Sequence, residues 1–176
     1  MLPAPPPPPG TPDILTQLLT SGNSMTARAF TNPSIPDGAV NTSEWREAEI
    51  PAANGHGTAR SLARVYGALA VGGELDGVRV LSPAAIERAT REQASGPDQV
   101  LMKMPMRFGL GFFLTQKLIP LGPNPRSFGH PGAGGSIAFA DPDARLGFAY
   151  VMNQMQQGLT GDARGFGLIH ALYQAF

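Results

Sequence analysis

The chain has 176 residues, a length suited to one domain that buries about two-thirds of its unfolded surface. Thirteen basic and thirteen acidic residues cancel without any block of like charge, which excludes the electrostatic footprint of a nucleic-acid binder. Cysteine is absent, so disulfides, thiolate chemistry and zinc fingers are excluded; with only His56, His130 and His170 spread along the chain, no metal site and no cofactor is expected.

Residues 1–13 read as a Pro-rich, unstructured leader, since the run Pro5 to Pro9 favours solvated polyproline II. It has neither the basic flank nor the apolar core of a secretory signal. No run approaches the roughly 18 apolar residues of a spanning helix, so the expectation is a chain without a membrane span, cytoplasmic by default. A single domain is expected from 14 to 176. Ile14, Leu15, Leu18 and Leu19 have helical spacing, and residues 22–51, rich in Pro, Asn, Ser and Thr around Trp45, read as a long loop.

Leu62, Val65, Tyr66 and Leu69 predict one apolar face of a helix over 58–70, stopped by Gly72-Gly73. Residues 75–78 read as a tight turn. Ser82-Pro83, an N-cap followed by an N1 proline, opens a second helix to about Thr90. Residues 91–107 read as a mobile connection. Short apolar runs at 108–115, 127–129, 137–140 and 146–153 then predict three or four antiparallel strands, with 141–145 as a hairpin connection. Phe166, Ile169, His170 and Tyr173 fit a closing helix over one sheet face. The order helix, helix, strands, helix gives an α+β, α/β-layered arrangement.

The segment Gly129-His130-Pro131-Gly132-Ala133-Gly134-Gly135-Ser136 is where chemistry concentrates. Glycines let peptide N–H groups approach a ligand, and an imidazole changes charge near neutrality, so His130 fits a site wall; a structural histidine capping a turn is the alternative. Ser136 falls one residue short of the Gly-x-Ser-x-Gly elbow and precedes a strand instead of a helix, which makes it a poor nucleophile. Asn54-Gly55-His56-Gly57-Thr58 opens the first confident helix, as an anion cradle or, more simply, as a cap; it lacks the third glycine of a dinucleotide fingerprint.

Taken in order, residues 51–66, 72–83 and 128–142 resemble the C-terminal half of serine β-lactamase-related proteins, most closely the class C β-lactamase-like, or family VIII, carboxylesterases. The resemblance implies an antiparallel sheet flanked by helices, as in β-lactamases and penicillin-binding proteins, and hydrolysis through an acyl-enzyme. It also implies that His130-Pro131-Gly132 is the esterase-like form of the motif that lines the site from a strand. By the same likeness His130, Gly132 and Ala133 face substrate, and the Ala133 N–H serves the oxyanion hole. His130 in place of a permanently charged lysine favours short-chain esters.

The catalytic half of that pattern is missing. The only lysines are Lys103 and Lys117, so no Ser-x-x-Lys exists, and Ser61-Leu62-Ala63-Arg64 substitutes an arginine that cannot act as a base. No Tyr-x-Asn follows Tyr66, Tyr150 or Tyr173. The sequence is therefore expected to be an incomplete, truncated form of the fold, inactive alone, taking a small ester or amide substrate if complemented. A non-catalytic remnant that binds a partner, or self-associates through exposed apolar surface, is the alternative reading.

Overall fold

The computed structural model describes residues 2–5, 24–36 and 38–175. The helical spacing at Ile14, Leu15, Leu18 and Leu19 lies outside them. The elements in chain order are α1 (Met25–Thr31), α2 (Ser43–Glu47), α3 (Ala59–Ala70), β1 (Glu74–Leu75), β2 (Val78–Arg79) and α4 (Pro83–Thr90). Then come β3 (Ala94–Asp98), β4 (Met104–Phe108), β5 (Phe113–Leu114), β6 (Phe128–Pro131), β7 (Ile137–Asp141), β8 (Leu146–Tyr150) and α5 (Ala163–Tyr173). No helix among the described residues is long and apolar enough to cross a membrane.

Residues 22–51 are not one long loop: within the described part, α1 and α2 form because Ser24 and Thr42 cap them, each accepting a hydrogen bond from an amide three residues on. Helix α3 starts at a reciprocal capping box between Thr58 and Ser61. It ends at Ala70, where Gly72 and Gly73 take φ of 98° and 93°. Its covered stripe includes Leu62, Tyr66 and Leu69, while Val65 is exposed. The turn at 75–78 joins β1 to β2 through Asp76 and Gly77, both at positive φ. Ser82 caps α4 and Pro83 occupies its first turn.

Six strands pair in sequence order, β3-β4-β5-β6-β7-β8, every neighbour antiparallel. The sheet exceeds the three or four strands read from sequence because 91–107, expected to be a mobile connection, contains β3 and β4. Gly96, Pro97 and Pro105 hide them: proline removes a ladder donor, which is tolerated here because β3 lies on the sheet's edge and β5 pairs β4 only at Phe108, with Pro97 opposite Pro105. The run 108–115 divides in turn, since Gly111 at φ 76° breaks it between β4 and β5.

One row of the register crosses five strands, Phe108, Phe113, Gly129, Phe139 and Phe148. On this face Phe113 and Phe139 are fully buried, and Ile169, Phe166 and Tyr173 of α5 cover them, as the closing-helix pattern predicts. On the opposite face Leu114, Phe128 and Ala140 pack under Leu69 and Ala70 of α3, with Ile86 of α4 alongside. Burying each of the three phenylalanines stabilises the fold by about 1.5–3 kcal/mol. The result is helix, antiparallel sheet, helix, the α+β layering expected from the element order.

At the β7–β8 turn Asp141, wholly buried, accepts from the amides of Asp143 (3.0 Å) and Ala144 (3.1 Å), from Asn124 Nδ2 (2.8 Å) and from the Tyr173 hydroxyl. One carboxylate thereby closes the hairpin and fastens the end of α5 to the sheet.

Candidate active-site wall

His130, Gly132 and Ala133 lie together at the end of β6 and in the loop that returns to β7. β6 is pinned on both sides in the sheet, with His130 opposite Ala138 and Pro131 opposite Ile137. Gly129 is required just before them: a Cβ there would lie 2.1 Å from the Ala138 carbonyl oxygen, so only glycine lets the two strands close. His130 is exposed, and its ring stacks on Phe108 at 6.3 Å between centroids. Its Nδ1 is 2.6 Å from the Pro131 carbonyl oxygen. A carbonyl only accepts, so Nδ1 carries the hydrogen, and in the neutral ring Nε2 is left as an acceptor.

The loop that follows is built from backbone hydrogen bonds. Gly132 N–H donates to Ser136 O (2.7 Å), Gly134 N–H to Gly158 O (2.9 Å) and Gly135 N–H to Gly132 O (3.3 Å). Gly134 and Gly135 hold φ of 82° and 117°, values that side chains resist. Among the described residues the Ala133 N–H has no acceptor, and Ala133 is exposed. The loop therefore presents one unengaged amide between engaged ones.

Two residues that the sequence reading did not single out hold this loop. Asp162 caps α5, Oδ1 accepting from Arg164 N at 2.8 Å, and its Oδ2 sits where a Cβ on Gly135 would be. Arg164 donates through Nη2 to Gly134 O (3.0 Å), through Nη1 to Gln154 O (3.1 Å) and through Nε to Asp162 Oδ2 (3.0 Å). The side-chain bond from Arg164 to Asp162 is the largest reason the Asp162 carboxyl is held below its ordinary value. The signal available in sequence was an Asp-x-Arg at a helix start, which is common and points to no particular loop.

The remaining candidates have local roles. Ser136 precedes β7, with its Oγ beside Gly132, which matches the strand-start reading and not an elbow. His56 bonds the Asn54 carbonyl at 2.7 Å, while the first amides of α3 are served by its own capping box. Ser61 belongs to that box, and Arg64 pairs with Asp76 at 2.7 Å. His170 is exposed on α5 beside Gln174.

With this geometry established, the β-lactamase family model matches residues 8–170. The chain belongs to the β-lactamase family. Within that family it is 45% identical over 132 residues to the esterase/β-lactamase LipL of Mycobacterium tuberculosis, a match covering 73% of this chain and 30% of LipL. Two solved structures align at 45% identity over 86% of this chain and 40% of theirs. One is a family VIII carboxylesterase, TM-score 0.80, and the other a penicillin-binding protein homolog from Caulobacter crescentus, TM-score 0.77. The chain thus spans well under half the length of these relatives. The family's helix-flanked antiparallel sheet, and its kinship with carboxylesterases, agree with the resemblance read from residues 51–66, 72–83 and 128–142.

Proposed function

We propose that this chain forms the substrate-facing wall of a serine esterase site that works through an acyl-enzyme, equivalent to the C-terminal part of such an enzyme. The observation that carries the reading is the unengaged Ala133 N–H, exposed between the engaged amides of Gly132 and Gly134. A fixed N–H of this kind stabilises the oxyanion of an acyl-transfer transition state, where loss of one donor costs about 10²- to 10³-fold in rate. His130, with Nε2 free to accept, and Gly132, which keeps the wall narrow, contact the substrate beside it. The family relationship supports a small ester or amide as substrate, and His130 in place of a permanently charged lysine favours short-chain esters over substrates gripped by their carboxylate.

No Ser-x-x-Lys or Tyr-x-Asn occurs in these 176 residues to supply nucleophile and base, so turnover requires those groups from outside them. Amide hydrogen exchange followed by NMR tests the wall. Ala133 is expected to exchange quickly while Gly132, Gly134 and Gly135 are protected; equal protection at Ala133 would remove its oxyanion role. The second reading, a non-catalytic interaction protein that self-associates, is favoured by the lack of a lysine-paired serine in these residues together with exposed apolar side chains such as Leu110, Leu118 and Leu168.

A further inference from the structure

The C=O and N–H of a trans peptide point in opposite directions, so the direction of the Ala133 N–H is set by whatever holds the carbonyl of Gly132. That carbonyl accepts two hydrogen bonds, from Gly135 N–H and from Gly161 N–H, each at 3.3 Å. A carbonyl oxygen has two lone pairs, and both are used here. Gly135 belongs to the loop itself, whereas Gly161 lies in the segment that joins β8 to α5.

This segment engages alternate residues of the loop. Gln156 N–H donates to Gly134 O at 2.9 Å, Gly158 O accepts from Gly134 N–H at 2.9 Å, and Gly161 N–H reaches Gly132 O. Ala133 is passed over. With the carbonyl end of the 132–133 peptide turned toward the segment, the Ala133 N–H is turned away from it. Gly161 holds φ of 84°, and a Cβ there would lie 3.2 Å from the Phe166 ring and 3.7 Å from Pro131 Cβ. The next residue, Asp162, caps α5, which ties the place of Gly161 to the start of that helix.

We propose, resting on the reading of Ala133 as an oxyanion donor, that Gly161 is the positioning residue for that donor. Its N–H fixes the plane of the 132–133 peptide and also polarises it, because a carbonyl that accepts a hydrogen bond makes the N–H of the same peptide a stronger donor. The segment after β8 thereby takes part in the oxyanion hole through a shared peptide and not through a side chain. Positive φ is what delivers the Gly161 N–H to Gly132 O. Asparagine tolerates such a φ, and a β-branched residue does not.

NMR of the isotope-labelled chain tests this. In the unchanged chain the Gly161 amide should exchange slowly with solvent, and the Gly132 carbonyl carbon should show the downfield shift of an acceptor. Gly161→Val should move the Gly132 carbonyl carbon and the Ala133 amide nitrogen upfield, while the strand amides of His130 and Ala138 keep their shifts. Gly161→Asn should leave all of these near their original values. A Gly161 amide that exchanges as freely as an unbonded loop amide would overturn the proposal, whether or not Gly161→Val folds. So would Gly161→Val leaving the Gly132 and Ala133 signals in place, or Gly161→Asn displacing them as far as Val does. Slow exchange at Ala133 in the unchanged chain removes the oxyanion reading and this role together. Fast exchange at Ala133 with unaltered Gly132 and Ala133 shifts in Gly161→Val removes this role alone.

Discussion

Arg164 donates through Nη2 to the carbonyl oxygen of Gly134 at 3.0 Å, joining the start of α5 to the glycine loop thirty residues earlier. The same guanidinium reaches Gln154 O and Asp162, and it lies 5.9 Å over the Tyr150 ring. The peptide that follows Ala133 is thus tied to a helix, a strand and the returning segment at once.

Arg164→Ala should loosen that loop. Bonds to a charged donor contribute about 1.5–3 kcal/mol each when buried, and with the side chain one-third exposed the expected loss is about 1–2 kcal/mol. Urea unfolding would measure it, and hydrogen exchange should accelerate at Gly134 and Gly135. Unchanged stability and exchange would mean that the loop holds itself.

Asp141 gives the fold an acid-sensitive point. Burial raises its carboxyl pKa, but hydrogen bonds from Tyr173, Asn124 and the amides of Ala144 and Asp143 outweigh burial and leave it below 3.8. The folded state therefore releases this proton more readily than the unfolded one. The stability it contributes is complete above the ordinary value and is lost as pH falls below it. Tyr173→Phe removes one donor, lowering stability at neutral pH by about 1.5–3 kcal/mol and flattening the acid limb of a stability-versus-pH curve.

The same contact has an alkaline signature. Burial first, and then the Asp141 carboxylate, push the Tyr173 hydroxyl well above 10.0. A raised pKa adds stability that is complete below the ordinary tyrosine value and declines as pH climbs above it. Tyr173→Phe should abolish that decline; denaturant midpoints measured on either side of about pH 10 would show whether it does.

Two glycines give opposite expectations. Gly147→Ala drives a methyl into the α3 backbone at Gly67 and should cost about 1–3 kcal/mol or more, lowering Tm. Gly167→Ala, in α5 with open space around its Cβ position, should stabilise by about 0.5–1 kcal/mol. Calorimetry on both variants checks the helix–sheet contact against helix propensity.

The purified chain should not be labelled by a fluorophosphonate, and Ser136→Ala should leave any background hydrolysis of p-nitrophenyl acetate unchanged. Labelling at Ser136 would contradict the absence of a serine nucleophile. His130→Ala, at an exposed ring, should change stability by less than about 1 kcal/mol, as expected of a group that serves a ligand and not the core.

Local chemistry was legible in the sequence. The caps at Thr58 and Ser82, the glycine stop at Gly72-Gly73, the Asp76-Gly77 turn and the alternation through β7 each depend on interactions within a few residues, and they appear where the sequence places them. The His130-Pro131-Gly132-Ala133 run and the missing Ser-x-x-Lys were equally plain, since both are matters of residue type and spacing.

What the tertiary structure alone decided depends on partners distant in the chain. β3 and β4 are strands despite Pro97 and Pro105 because β3 is an edge strand and β5 pairs β4 only at Phe108, so neither proline faces a ladder partner that needs its N–H, a property of neighbours and not of the segment. Val65 fits the apolar period of α3 yet is exposed, because the helix seats on β8 through Gly67 and Gly147. Arg164 and Asp162 hold the site loop only through folding that brings α5 back to Gly134 and Gly135. Sequence by itself determined the family resemblance, the local elements and the lack of a Ser-x-x-Lys in these residues; the contacts that fix the loop exist only once six strands are ordered in space.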